Sequence, residues 1–543
     1  MGSDTSNSRE GGDGLAPPPA SPGPTASPPP SGGLRALVQS ILPRERFGDH
    51  LAILAGTGQN IAGLGVYVVA SLGANIVISR ELGARPLGVV TLATQFAFIG
   101  GAATRFGMDM AAVRRVAIDV GKGQPGRARA VVARAAAIAA VVSAVAAVLV
   151  LLGSGALARA FGSQGTRTVF EAAALALPFV ALCQVYLGGT RGLKIMRHTL
   201  YIFWAGQPVA WIVLMVAGWL VSKSTAMSVL AYALSWVVAT GAAWFVWERE
   251  TRGFEPLPAE PREVRELARY GAPRAPAALL SQLLFWTDYF VFSRYAQGAE
   301  LGVYAAAVRV AQALMLFLIA VNYMFSPFVA DLHARGDRDR LDSLYKALTR
   351  WMLAGTIPLL LLLLIAPGPV LQVFGSKFRT GTGAVRILLI GQTVNVAVGS
   401  VGFILIMVGR TGWDLVVYAL SFLVDLGVAF ALSPHLGARG AAIAQATTMV
   451  VSNVGRLYLV WRFVHIQPFS RYYARLAVPA AGCALTMVAV HAVTSGRAWP
   501  VDLVATGLAG TLVYVAVLGA VALTPTERGF LTAVAAKRRN RAG

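Results

Sequence analysis

Polar and charged residues are so widely spaced in this chain that apolar runs of about 20 residues follow one another from near residue 55 to near residue 523. Each run can cross a bilayer core of about 30 Å as a helix. Stretches such as IPLLLLLLI (Ile357–Ile365) lack the period-two alternation of a membrane β-barrel strand. The breaks delimit fourteen expected spans: 55–79, 87–104, 135–152, 169–189, 199–219, 225–246, 274–293, 302–326, 351–373, 383–408, 412–433, 440–461, 476–495 and 501–523. The pattern therefore predicts an all-α polytopic membrane protein.

The breaks repeat. VISRELGARPLGV (Val77–Val89) joins spans 1 and 2, and VFSRYAQGAELGV (Val291–Val303) joins spans 7 and 8. Both read V-x-S-R, six residues, L-G-V, displaced by 214 positions. Lys122-Gly123 with Arg127 is echoed by Arg335-Gly336 with Arg340, and Arg197 by Arg410. Six spans separate the copies, an even number, so the chain is expected to hold two parallel-topology six-helix lobes plus two C-terminal helices. The expected organisation is a disordered Pro/Gly/Ser tail (1–33), a basic juxtamembrane amphipathic segment (34–50), a first lobe (51–246), a cytoplasmic linker (247–270), a second lobe (271–465), and spans 13–14 with a basic tail (466–543).

Composition removes the soluble alternatives. Hydrophobic residues make up 56% and charged residues 13%, with a mean hydropathy of +0.62, too few charges to coat a soluble surface. The net charge of +22 would suggest a nucleic-acid partner, but its distribution argues otherwise. Counting Arg274 and Arg386, at the edges of spans 7 and 10, with their flanking sides, the tails and the even-to-odd connections carry 34 of the 47 Lys and Arg, and the odd-to-even connections 11. By the positive-inside rule this asymmetry orients the chain with both termini cytoplasmic, and no nucleic acid is implied. Anionic lipids are the expected partners of Arg44, Arg46 and the KRRNR run at 537–541.

Enzyme chemistry finds little support. Asp337-Arg338-Asp339 forms a D-x-D without a nucleotide fold around it, no phosphate-binding G-x-x-x-x-G-K-[ST] loop occurs, and the six histidines show no metal spacing. Cys183 and Cys483 both sit in apolar runs as packing residues. The longest outer connection, near 153–168, is too short for the acceptor-binding loop of a membrane polysaccharide ligase or polymerase.

Ionisable groups inside spans each cost about 2.5–3.5 kcal/mol on insertion scales and so need a reason. Polar residues fall on helical stripes: Ser71, Asn75 and Ser79; Thr91, Gln95, Arg105 and Asp109; Gln392 and Asn395; Asp414, Tyr418, Ser421 and Asp425; Gln445, Thr448, Ser452 and Arg456. Such faces either line a central wet cavity or bond across helix interfaces. Arg309 stands some eight residues into span 8, too deep to snorkel. It either meets an anionic substrate or pairs with a neighbouring acid. Asp425 and Arg456 are candidates for an interhelical salt bridge, and Arg80 and Arg294 for headgroup anchors.

SRELGARPLGV, the stretch from Asp288 through VFSRYAQGAELGVYAAAVR to Arg309, SPFVADLHARGDRDRL (Ser326–Leu341) and GARGAAIAQA (Gly437–Ala446) resemble the multidrug/oligosaccharidyl-lipid/polysaccharide exporter superfamily, within it the bacterial O-antigen flippase type. The resemblance covers roughly residues 50–465. It implies a transporter that moves a polyprenyl-diphosphate-linked glycan across the bacterial inner membrane, working beside a polymerase or glycosyltransferases. A drug or metabolite antiporter of the same superfamily is the rival. Lipid II flippases, a neighbouring family, carry an arginine in an A-x-R setting matched by Ala307-Val308-Arg309, and a guanidinium fork suits a diphosphate. Arg309, Arg105, Asn75, Gln95, Asn395 and Arg456 are the candidate substrate contacts. The same resemblance implies a coupling-ion set of Asp288, Ser421, Asp425 and Thr448, for Na+ or H+, with Ser421 offering a hydroxyl where that family has an amide. No other cofactor is expected.

Overall fold

A computed structural model describes residues 65–522, except 68, 163–165, 256–262, 272–273, 316, 320, 323–328, 330–331 and 334. The expected N-terminal tail and juxtamembrane segment, with Arg44 and Arg46, and the basic run at 537–541 lie outside the described residues. Among the described residues every regular element is a helix and no strand occurs. Ten helices are long and apolar enough to cross a membrane, which makes this a multi-pass membrane protein. Of the remaining expected spans, the first is described only from residue 65, the seventh and eighth are cut short, and the twelfth carries more polar residues.

The first half runs α1 (65–81), α2 (Ala84–Thr104), α3 (Met108–Gly121), α4 (Pro125–Ala160), α5 (Arg167–Gly192), α6 (Thr199–Trp219) and α7 (Thr225–Glu250). α6 opens as a π-helix over Thr199–Gly206. A short helix, α8 (Glu263–Gly271), leads to α9 (Arg274–Leu283), α10 (Thr287–Tyr295) and α11 (Glu300–Gln312). Then come α12 (Arg338–Ile365), α13 (Pro367–Gln372), α14 (Thr382–Val398), α15 (Val401–Met407), α16 (Thr411–Leu436), α17 (Ala438–Val464), α18 (Ala477–Thr494) and α19 (Trp499–Val517). α5 packs on α2, α3, α4 and α7. In the second half α17 packs on α14 and α16, and the α18–α19 hairpin rests on α12.

Two expected spans are broken in the second half. Span 7 parts into α9 and α10 around Leu284–Trp286, and span 10 parts into α14 and α15 at Gly399, whose φ of 65° an L side chain would resist. An unwound turn at membrane depth must find new partners for its backbone. Gln445 on α17 meets that need by donating to the Phe285 carbonyl at 3.1 Å.

The duplicated hinge now has a structural reason: its two copies pack on each other. α2 crosses α11 where Ala84 and Gly88 meet Leu301-Gly302. A Cβ on Gly88 would stand 2.7 Å from the Gly302 nitrogen, and one on Gly302 would overlap the Ala84 carbonyl oxygen. Close backbone approach of this kind is how bundles pack in lipid, where no hydrophobic effect pulls helices together. Tyr289 on α10 ties the crossing down, its hydroxyl donating to the Gly88 carbonyl at 2.9 Å.

The duplicated arginines exchange partners across the same junction. Arg80, at the end of α1, donates to the Val373 and Gln372 carbonyls at 2.9 and 2.8 Å, where α13 ends. Arg294 on α10 donates to the Ala160 carbonyl at 2.9 Å, the last residue of α4. Each satisfies orphan carbonyls and the negative end of a helix in the other half. Beyond the headgroup anchoring expected of them, both guanidinium groups act as interhelical caps.

Candidate functional site

A cavity of about 300 Å³ lies between α1, α2, α6 and α7 of the first half and α9, α11 and the 284–286 break of the second. Its wall is dominated by aromatic rings. Six of them form a chain of neighbouring contacts: Trp211 to Tyr232 (5.2 Å between centroids), Tyr232 to Trp236 (6.1 Å), Trp236 to Phe203 (5.6 Å), Phe203 to Trp204 (5.0 Å) and Trp204 to Tyr67 (4.9 Å). The π-helical turn places Phe203 and Trp204 consecutively on this wall. π turns recur at functional sites because they re-aim side chains within a helix.

Arg309 is the single charged residue on the described wall, and no Asp or Glu lines it. Its guanidinium carbon sits 5.0 Å from the Trp286 ring centroid. Its Nε has no hydrogen-bond partner, and among the described residues no carboxylate pairs with it. The structural ion pair held open as an alternative for Arg309 is therefore absent among those residues. A cation resting on an aromatic face gains about 0.5–2 kcal/mol, far less than its desolvation costs, so an anion entering the cavity would be strongly attracted.

The other expected contacts separate. Gln95 lines the cavity with Arg309. Asn75 is not on the wall; it is buried and donates to the Ser71 carbonyl at 2.7 Å, and Ser71 lines the cavity instead. Arg105 closes the end of α2 with its Nε 3.4 Å from Asp109. Asn395 reaches Gln392 at 3.5 Å on α14. Arg456 is held by Asp414 at 2.9 Å and Ser452 at 2.8 Å, over the Tyr418 ring at 4.3 Å. Asp425 is not its partner. It lies eleven residues beyond Asp414 on the same helix, about 16 Å along the axis, out of reach of a guanidinium that Asp414 already holds.

Asp288, Ser421, Asp425 and Thr448 are all fully buried, on α10, α16 and α17, three mutually packed helices. Asp425 lies within electrostatic reach of Asp288 and against Thr448. Tyr304 of α11 donates its hydroxyl to one Asp288 oxygen. The remaining oxygens make no hydrogen bond of ordinary geometry among the described residues, although Asp425 lies close to Thr448 and the Asp288 backbone: Asp288 Oδ1, Ser421 Oγ, both Asp425 oxygens and Thr448 Oγ1. Buried oxygens are rarely left unpaired, and a cluster of five is the donor set a hard cation or a shared proton would complete. Among the described residues no group of three or more His, Cys, Asp or Glu occurs, so this hydroxyl-rich set does not resemble a transition-metal site.

Cavity and oxygen cluster share two elements. Phe285 and Trp286 face the cavity, and Asp288 follows two residues later. Tyr304 and Arg309 lie five residues apart on α11, one bound to Asp288, the other in the cavity. Sequence reasoning missed Gln282, Gln312 and the aromatic wall. Gln312 follows Arg309 by three residues, a same-face spacing that was visible. The aromatic residues carried no such sign, because an apolar ring in an apolar run reads the same toward lipid or cavity.

Residues 77–381 match the family described as "Polysaccharide biosynthesis protein". No protein of curated function matches the sequence. Among solved structures, the chain is similar to the lipid II flippase MurJ in an inward closed conformation, with a TM-score of 0.67 at 13% identity, covering 84% of this chain and 97% of that one. An inward-facing multidrug resistance MATE family transporter of the MOP superfamily gives 0.60 at 15%, over 74% and 98%. An outward-facing transporter of that MATE family gives 0.53 at 18%, over 78% and 97%. At these identities the likeness is one of fold.

Proposed function

The chain belongs to the polysaccharide biosynthesis protein family, and from that premise we propose that it is a flippase carrying a lipid-linked glycan across the bacterial inner membrane by alternating access. The observation that carries this reading is Arg309, a guanidinium that among the described residues has no carboxylate partner and shares its cavity wall with none. A polyprenyl diphosphate would supply the missing anion through bidentate hydrogen bonds, with its tail left in lipid. Both termini face the cytoplasm in this reading, and the basic cytoplasmic ends meet anionic lipid. A polymerase or glycosyltransferase completes the assembly line on either side.

Na+ or H+ at Asp288, Ser421, Asp425 and Thr448 drives the cycle. Binding there neutralises two buried carboxylates and bears on α10 and α11, the helices that also present Trp286 and Arg309 to the cavity. A cationic-drug antiporter has the aromatic wall in its favour. Its substrate, however, would meet Arg309 and, among the described residues, no acid on the wall, a repulsive arrangement.

The test is flipping of a fluorescent polyprenyl-diphosphate glycan in proteoliposomes under imposed Na+ or pH gradients. Arg309→Ala abolishes flipping, and Arg309→Lys, which keeps charge but loses the fork, restores a minor part. Asp425→Asn removes the gradient dependence. Wild-type flipping by Arg309→Ala overturns the carrier reading; indifference of the wild-type protein to both gradients removes the coupling.

A further inference from the structure

The aromatic wall opposite Arg309 has no assigned role, and its polar groups are unspent. Among the described residues the side-chain amides of Gln95, Gln282 and Gln312 make no protein hydrogen bond. The indole N–H of Trp236, on a ring only 2% exposed, has no hydrogen-bond partner either. Amides offer both donors and acceptors, and three of them line the cavity without carrying a charge of their own. Leaving such groups unpaired costs about 1–3 kcal/mol each once water is excluded. A ligand with a ring of hydroxyls would satisfy them.

We propose that this wall is a sugar subsite, which takes one neutral pyranose ring adjoining the diphosphate held by Arg309. The inference rests on the carrier reading above and names the part of the substrate that the wall selects. A pyranose has an apolar face of C–H bonds and a rim of alternating donors and acceptors. Trp204, which is partly exposed to the cavity, supplies a flat face for the first; Gln95, Gln282 and Gln312 read the second. A planar aromatic drug would use the rings and leave the amides unpaired. An acidic sugar would find no second cation beside Arg309 on the described wall. A cavity of about 300 Å³ falls within the range of small-ligand sites and accommodates a sugar ring beside a diphosphate.

Two probes separate the subsite from the diphosphate site in nanodisc-embedded protein: a polyprenyl diphosphate bearing one N-acetylhexosamine, and the same lipid without sugar. Wild-type protein binds the loaded lipid about tenfold tighter. Trp204→Leu and Gln282→Ala/Gln312→Ala erase most of that difference and leave affinity for the bare lipid unchanged, while Trp204→Phe keeps it. Arg309→Ala weakens both lipids. Equal binding of the two lipids by wild-type protein overturns the subsite even if Arg309 behaves as expected. Undiminished binding of both by Arg309→Ala overturns the carrier reading instead. Tight binding of ethidium that Trp204→Leu abolishes, with no binding of either lipid, overturns both and gives the wall to cationic drugs.

Discussion

Gly302→Ala tests the link between the duplicated hinge and transport. The added Cβ would fall well inside contact distance of the Ala84 carbonyl oxygen, against an ordinary separation of about 3.4 Å, so α2 and α11 must part by an ångström or more. Neither obstacle is a flexible side-chain tip; both are backbone. Overpacking of this kind costs about 1–3 kcal/mol, and here it falls on the state with the two ends together. A conformation with those ends apart has no such clash. The substitution should therefore shift the balance toward opening at this end by about 5- to 150-fold, since about 1.4 kcal/mol is a factor of ten. The assay is labelling of a single cysteine placed at Ser71 on the cavity wall by a membrane-impermeant thiol reagent added outside whole cells. Both native cysteines are buried and give a quiet background. Gly427→Ala, where nothing lies within 4 Å of the new Cβ, is the control. Faster outside labelling in Gly302→Ala alone is expected. Equal labelling of all three proteins, with unaltered flipping, would refute the idea that this crossing gates the cavity.

Removing both guanidinium groups, Arg80→Ala with Arg294→Ala, deletes three hydrogen bonds to helix ends, each exposed and so contributing about 0.5–1 kcal/mol. The double variant should raise the same outside labelling by about tenfold, and each single variant by less. Asp414→Ala strands the buried Arg456 and should cost about 3–5 kcal/mol, read as a clear fall in Tm in detergent; adding Arg456→Leu should recover most of it. If the single and double variants melt together, the pair does not act as a buried ion pair.

The parts of this fold that were legible in the sequence are those where lipid imposes a rule. Long apolar runs had to be helices, a deep Arg309 had to face something other than hydrocarbon, and V-x-S-R…L-G-V had to mean something twice. Asp288, Ser421, Asp425 and Thr448, grouped by resemblance, do come together on packed helices. What stayed hidden depends on rotation and reach rather than composition. Leu284–Trp286 contains neither Gly nor Pro, so its break left no local mark; its N–H groups bond to carbonyls of the preceding turn, and Gln445 on another helix serves the Phe285 carbonyl. The partner of Arg456 required knowing how far α16 and α17 slide past each other, because the stripe spaced four, three and four puts Asp414 and Asp425 on the same face. Arg105 and Asn75 share stripes with the cavity residues Gln95 and Ser71 but find local partners close by in the chain, and the stripe of Asn395 lies away from the cavity.

The crossed arginines carry a consequence for how such a molecule is built and inherited. Severed in its connecting segment, the N-terminal fragment would keep a bare α4 terminus and an idle Arg80, and the C-terminal fragment the converse. Neither piece can finish itself, so co-expressed fragments should recover function only by finding each other. Drift in one copy of the ancestral unit is then answerable to the other, and V-x-S-R would persist twice while the sequence around it diverges.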